Sequence, residues 1–154
     1  MLDKIDRRIL ALLQDDGRIS NLELSEKVGL SPTPCLRRTK RLEEIGVIQG
    51  YAAIVDQKAY GLPLNVFVSV RLNQQVEDSI IAFEQAVSGW NEVTECYLLT
   101  GSQDYLLHVV TDGIEGYERF LKQKVTRLKC LQSVESNFAI GTIKKRIGLP
   151  AVET

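Results

Sequence analysis

The chain has 154 residues, 44% of them apolar and 25% charged, a composition that excludes a disordered or collagen-like protein and a large multidomain enzyme. Nineteen basic and twenty acidic side chains leave a net charge of −1, so any affinity for nucleic acid has to come from a local concentration of base. Cys35, Cys96 and Cys130 show no metal-ligand spacing, no apolar run reaches the ~20 residues of a membrane helix, and the charged start MLDKIDRR lacks a signal peptide's apolar stretch. The expectation is a cytoplasmic chain with no metal and no membrane contact.

The first fifty residues punctuate themselves as three helices. Asp3 is a candidate N-cap, and Ile5, Ile9, Leu12 and Leu13 form one helical stripe that stops at Asp16-Gly17. Ser20 opens S-N-L-E, a predicted capping box with Glu23, and Gly29 ends this short second helix. Ser31-Pro32 then supplies an N-cap and a proline at the first helical position, and the third helix runs to Ile45. A short helix, a glycine-containing turn and a capped basic helix make the layout of a helix-turn-helix.

At about 100° per residue, Cys35, Leu36, Thr39 and Leu42 gather on one side of the third helix. Arg37, Arg38 and Arg41 gather on the other, with Thr33 and Lys40 at its flanks and Ser31 at its start. A helix fits the major groove, and the arginine fork pairs with guanine or clamps a phosphate, so this face is a candidate for double-stranded DNA. A solvated basic face on a packed helix is the plain alternative.

The glycine- and proline-punctuated segment from Gly46 to Pro63 reads as a junction, with Val47–Gln49 and Tyr51–Val55 as a short, wing-like β extension. Domains are therefore expected at 1–50 and 64–154, with a linker at 51–63.

Beyond it, Leu64–Leu72 reads as a strand, Asp78–Gly89 as a helix, and Glu92–Leu99 and Tyr105–Thr111 as two further strands. A second helix carries Tyr117, Phe120, Leu121, Val125 and Leu128, and a last strand runs from Leu131 to Ile140. The fold class is α+β, with a winged helix-turn-helix followed by a βαββαβ, ferredoxin-like domain. Two helices cover only one face of such a sheet, while Leu106, His108 and Val110 make the other largely apolar. A second copy of the chain is the expected cover.

The stretches LDKIDRRIL, DGRISNLELSEKVGLSPTPCLRRTKRLEEIGVIQGY and LLTGSQDYLL resemble the Lrp/AsnC family of amino-acid-responsive transcription regulators. The resemblance spans nearly the whole chain. It implies a DNA-binding domain, a ligand-binding domain, and homodimers that assemble further, commonly into octamers. It departs at Thr39, where relatives usually carry an aliphatic residue. It also places a free amino acid, the only small molecule implied, near Thr100, Gly101, Ser102 and Asp104 at an interface between dimers. Gly101 would let backbone N–H groups reach the carboxylate and Asp104 would take the ammonium, so Asp104→Ala should abolish the response without unfolding the protein. Leu98, Leu99 and Ile114 would form an apolar wall, joined by Phe138 and Ala139 of a neighbouring subunit. Leucine or methionine is the expected effector, and genes of amino-acid metabolism the expected targets. An ordinary hairpin turn, with Asp104 bonding its own backbone, is the alternative.

His108 and the pair Trp90 and Tyr97 read as packing residues, and the three cysteines as small apolar side chains. Lys144-Lys145-Arg146 reads as a solvated tail, or alternatively as a phosphate contact on wrapped DNA. No nucleophile–base pair, carboxylate dyad or phosphate loop can be assembled, so an enzyme is not expected. A rival reading keeps the amino-acid sensor but gives the helix-turn-helix a protein partner; salt-sensitive DNA retention separates the two.

Overall fold

The computed structural model describes residues 2–150. The chain divides into two compact units: residues up to Ile54 together with those from Ile143 onward, and residues Val55–Thr142 between them. The expected division leaves the tail with the second unit, whereas it clusters with the first. The Leu149 backbone N–H donates to Gln14 Oε1 at 2.6 Å, and Gly148 lies against the Gln14 side chain.

The first unit is built from α1 (Lys4–Asp15), α2 (Asn21–Val28) and α3 (Pro32–Glu44). Asp3 caps α1 by accepting the Asp6 N–H at 2.8 Å, while Asp6 accepts the Asp3 N–H at 3.2 Å, a complete capping box. At α2 only half of the predicted box forms. Ser20 Oγ accepts the Glu23 N–H at 3.2 Å, but the Glu23 carboxylate turns to Lys27 one helical turn on, at 3.0 Å. Gly29 closes α2 at φ +75°, a left-handed conformation that suits glycine. Ile9, Leu24, Val28, Cys35 and Leu42 form the small core, with Ile5, Leu12 and Leu13 against it.

The β extension expected after Gly46 is not formed. Residues 47–63 contain no strand, only a turn over residues 57–61, where the Asp56 carboxylate accepts the Ala59 N–H at 2.6 Å. Val47, Tyr51, Ile54 and Val55 are between 41% and 75% exposed. An apolar run becomes a strand only when a neighbouring strand takes its backbone groups, and among the described residues no strand pairs with it.

The second unit runs β1 (Leu64–Leu72), α4 (Glu77–Ser88), β2 (Val93–Leu98), β3 (Tyr105–Thr111), α5 (Ile114–Gln123), a short 3-10 turn (Val125–Arg127) and β4 (Leu131–Phe138). All pairings are antiparallel and the strand order is β2-β3-β1-β4, which makes β2 and β4 the edges. The expected single stripe of the last helix breaks after Gln123, so Val125 reaches the core from the 3-10 turn. Val66, Val68, Val70 and Leu72 of β1 and Tyr105, Leu107 and Val109 of β3 meet Phe83 and Val87 of α4 and Tyr117 and Phe120 of α5. Alternation puts Phe67 on the opposite face, 39% exposed.

That opposite face is less apolar than expected. Phe67 and Leu106 stand at its centre and Tyr97 at its β2 edge, but the ladder sets Glu95 opposite His108, Asn65 opposite Val110, and Ser69 opposite both Leu106 and Glu135.

Candidate functional site

The buried stripe of α3 is Cys35 and Leu42, with Thr39 half-buried between them. Thr39 meets its burial by donating from Oγ1 to the Cys35 carbonyl one turn back, at 3.2 Å. The face turned to solvent carries Thr33, Leu36, Arg37, Lys40 and Arg41, with Ser31 exposed at the start. Ser31 adopts the extended N-cap conformation, but its hydroxyl makes no capping hydrogen bond. Leu36, expected inward, is 43% exposed.

Arg38 departs from the expected grouping. Its guanidinium donates to Asp3 Oδ2 at 2.6 Å and to Asp6 Oδ1 at 2.8 Å. Asp6 is 1% exposed on α1, and a carboxylate buried that deeply is held in a protein only by a cation or by donors. Arg38 supplies both, and Arg41 adds a longer contact to Asp6 Oδ2 at 3.4 Å. The hydrogen bond from the Asp6 backbone, then that from Arg38, hold the Asp3 carboxyl below the ordinary carboxylate range. Arg38 thus fastens α3 to α1, while Arg37 and Lys40 project outward. The sequence carries one signal of this: Asp6 adjoins the Ile5–Ile9 stripe of α1, an inward position for an acid.

In the second unit the hairpin between β2 and β3 brings together most of the expected effector residues. Leu98 and Leu99 precede the turn, 72% and 38% exposed, whereas Ile114, 71% exposed at the start of α5, follows Thr111 at the opposite end of β3 and is not brought to the turn within the chain. Thr100, Gly101 and Ser102 form the exposed tip, with Gly101 at φ +123°, a backbone region that glycine alone enters without strain. Phe138 and Ala139 lie at the far end of β4, and Phe138 packs edge-on against Tyr117 with ring centroids 5.3 Å apart.

Asp104 is not an open acceptor. It is 9% exposed, and its Oδ2 accepts the Leu72 N–H at 2.7 Å while Oδ1 accepts from Gln75 Nε2 at 2.7 Å. The Asp104 backbone N–H donates to the Val70 carbonyl at 2.9 Å. The side chain therefore ties the turn to the end of β1, which differs from both expectations, an ammonium ligand or a self-bonded turn. Leaving the Leu72 N–H unpaired costs about 1–3 kcal/mol, so Asp104→Ala weakens the domain as well as the turn.

Gln103, which sequence reasoning passed over, sits beside it. Its Oε1 is buried and has no hydrogen-bond partner, a state most buried acceptors avoid. No pattern in the sequence marks it, because its burial depends on how the turn folds onto the sheet.

Two shallow grooves of the second unit, of about 350 and 410 Å³, are lined by other residues, one set along α5 and β4, the other around Asn73 and Cys130. His108 stacks on Phe67 with ring centroids 4.9 Å apart, and its ring nitrogens lie 2.8 Å from Asn65 Oδ1 and 2.9 Å from Thr94 Oγ1. Trp90 packs edge-on to Phe120 in the core, whereas Tyr97 is exposed. Cys35 is buried, but Cys96 is exposed because it stands on an edge strand. Among the described residues no group of three or more His, Cys, Asp or Glu side chains is placed to hold a metal ion, and no helix is long and apolar enough to cross a membrane.

Comparison with known proteins covers both units. A family model described as winged helix-turn-helix DNA-binding matches residues 2–49, and one described as the Lrp/AsnC ligand binding domain matches residues 65–149. The chain is 42% identical over 144 residues to the leucine-responsive regulatory protein of Escherichia coli K12, covering 94% of this chain and 88% of that one. It is 37% identical over 153 residues to the Bacillus subtilis transcriptional regulator AzlB, covering 99% and 98%. A transcriptional regulator from Neisseria meningitidis, solved as a complex with L-methionine, superposes with a TM-score of 0.93 at 38% identity over 97% of each chain. E. coli AsnC superposes with a TM-score of 0.87 at 26% identity, covering 95% of this chain and 97% of that one. Identity of this extent over both units means that the chain belongs to the Lrp/AsnC family of DNA-binding transcriptional regulators.

Proposed function

We propose that this regulator grips duplex DNA with Ser31, Thr33, Arg37, Lys40 and Arg41 of α3, and that a free amino acid bound at the Gly101 turn tunes that grip. Arg37 and Lys40 carry the first half: they are exposed on the helix whose opposite face is fixed by Cys35 and Leu42. A helix so mounted offers cations to phosphates and guanine edges without unpacking its own core. Arg38 acts indirectly, holding α3 in place through Asp3 and Asp6.

For the second half, the Thr100-Gly101-Ser102 backbone presents N–H groups to the effector carboxylate. The orphaned Gln103 Oε1 accepts from its ammonium in place of Asp104, whose two oxygens are engaged. Asp104 positions the turn. The exposed Leu98 and Leu99 form an apolar wall, and Ile114, Phe138 and Ala139, which stand at the other end of the sheet in their own chain, would be contributed to it by a neighbouring subunit. That wall favours leucine or methionine, and the Neisseria relative was solved with L-methionine. The same exposed apolar residues support a homodimer that assembles further; an octamer, a cytoplasmic location and target genes of amino-acid metabolism are what family membership suggests for this regulator. No catalytic step and no resident cofactor enter this reading.

The test is a thermal-shift screen of the intact protein against the twenty amino acids. Methionine or leucine should raise the melting temperature, since a ligand at 100 times its Kd stabilises the native state by about 2.7 kcal/mol. Gln103→Ala should lower the apparent affinity about tenfold or more while melting normally without ligand. A screen in which no amino acid raises the melting temperature overturns the effector half.

A further inference from the structure

The tail from Ile143 onward clusters with the DNA-binding unit, and it carries Lys144, Lys145 and Arg146. Up to Ile54 that unit holds nine basic and eight acidic side chains, +1; with the tail's three basic and one acidic residues it reaches +3. The remaining residues, Val55–Thr142, hold seven basic and eleven acidic side chains, −4. The near-neutral whole chain is thus a cationic unit joined to an anionic one, and the tail supplies most of the difference on the cationic side.

All three basic side chains are exposed, and among the described residues none takes part in an ion pair. The acids nearest in sequence to the docking point, Asp15 and Asp16 beside Gln14, leave them unpaired too. The docking is specific. Leu149 donates its backbone N–H to Gln14 Oε1 at 2.6 Å, and a Cβ on Gly148 would stand 3.3 Å from Gln14 Cβ. Gly148 therefore lets the tail lie close to the last turn of α1.

We propose that Lys144, Lys145 and Arg146 form a second DNA contact of the first unit, one that grips backbone phosphates without reading sequence and extends the footprint beyond α3. The inference rests on the DNA-binding reading of that unit. Lysine on a flexible stem serves as a point charge for phosphate, and phosphate contacts of this kind release condensed counterions.

Fluorescence anisotropy with a 30-base-pair duplex of arbitrary sequence, titrated with the full chain from 50 to 300 mM salt, tests it. Every phosphate deprived of its cation lowers the slope of log K against log salt by about 0.9, so K144A/K145A/R146A should reduce it by two to three units per engaged tail. K144R/K145R should keep the wild-type slope. Gly148→Val keeps every charge but crowds Gln14, and it should lower the slope in the same direction. Circular-dichroism melts establish that each variant is folded. A wild-type slope in both K144A/K145A/R146A and G148V overturns the tail contact while leaving α3 as the interface. A wild-type chain that shows no salt-dependent binding to any duplex sinks the DNA-binding reading itself.

Discussion

Arg37 and Arg38 are adjacent in sequence and opposite in role. Arg38 spends its guanidinium on Asp3 and the buried Asp6, so Arg38→Ala leaves a carboxylate without its main partner. Hydrogen bonds to charged groups contribute about 1.5–3 kcal/mol, and a urea melt of Arg38→Ala should show a loss of that order, with weaker DNA binding following from misplacement of α3. Arg37→Ala should melt like the wild type and still lose DNA affinity in a gel-shift titration. Equal melting of the two variants would contradict the division. The basic cluster was legible from residue types alone, but which arginine turns inward was not. Asp6 lies 32 residues away from Arg38, and a stripe drawn on one helix does not include the charge on its neighbour. Asp104 teaches the same lesson: its partner, the Leu72 N–H, is on another strand.

At the scale of elements, the helix ends and the strand positions along the chain follow from local rules. Caps, glycines and period-two alternation placed α1, α2, α3 and the four strands to within a residue or two. The elements that depart from expectation are those whose state is decided by a neighbour. Residues 51–55 have strand-forming side chains and no described strand to pair with, and Val125, expected on the helical stripe, reaches the core from a 3-10 turn because α5 stops at Gln123. The α1 cap gives a pH prediction. Asp3 titrates below its ordinary value when folded, so its contribution is complete above the unfolded carboxylate pKa of about 3.9 and is lost as pH falls through the depressed folded value. Thermal melts between pH 5 and pH 2 should show the wild type losing stability faster than Asp3→Asn over that acid range. Parallel curves would mean that the cap carries no such linkage.

For the whole molecule, exposed apolar side chains argue for company. Ile140 and Ile143 are fully exposed, and Leu98, Ile114, Leu149 and Tyr60 are each more than 70% so, more bare hydrocarbon than a solitary small protein ordinarily presents. Sedimentation velocity at micromolar concentration should therefore give species of at least twice 17.3 kDa. A single boundary at the monomer mass would contradict it.

The path of the backbone has a mechanical consequence. It leaves the first unit after Ile54 and comes back at Ile143, and Gln14 fastens it further on, at Leu149. A terminal segment that is latched keeps one path, whereas a loose one frays. Gln14→Ala removes the latch at Leu149, so that segment should fray and exchange its amide hydrogens faster than in the wild type.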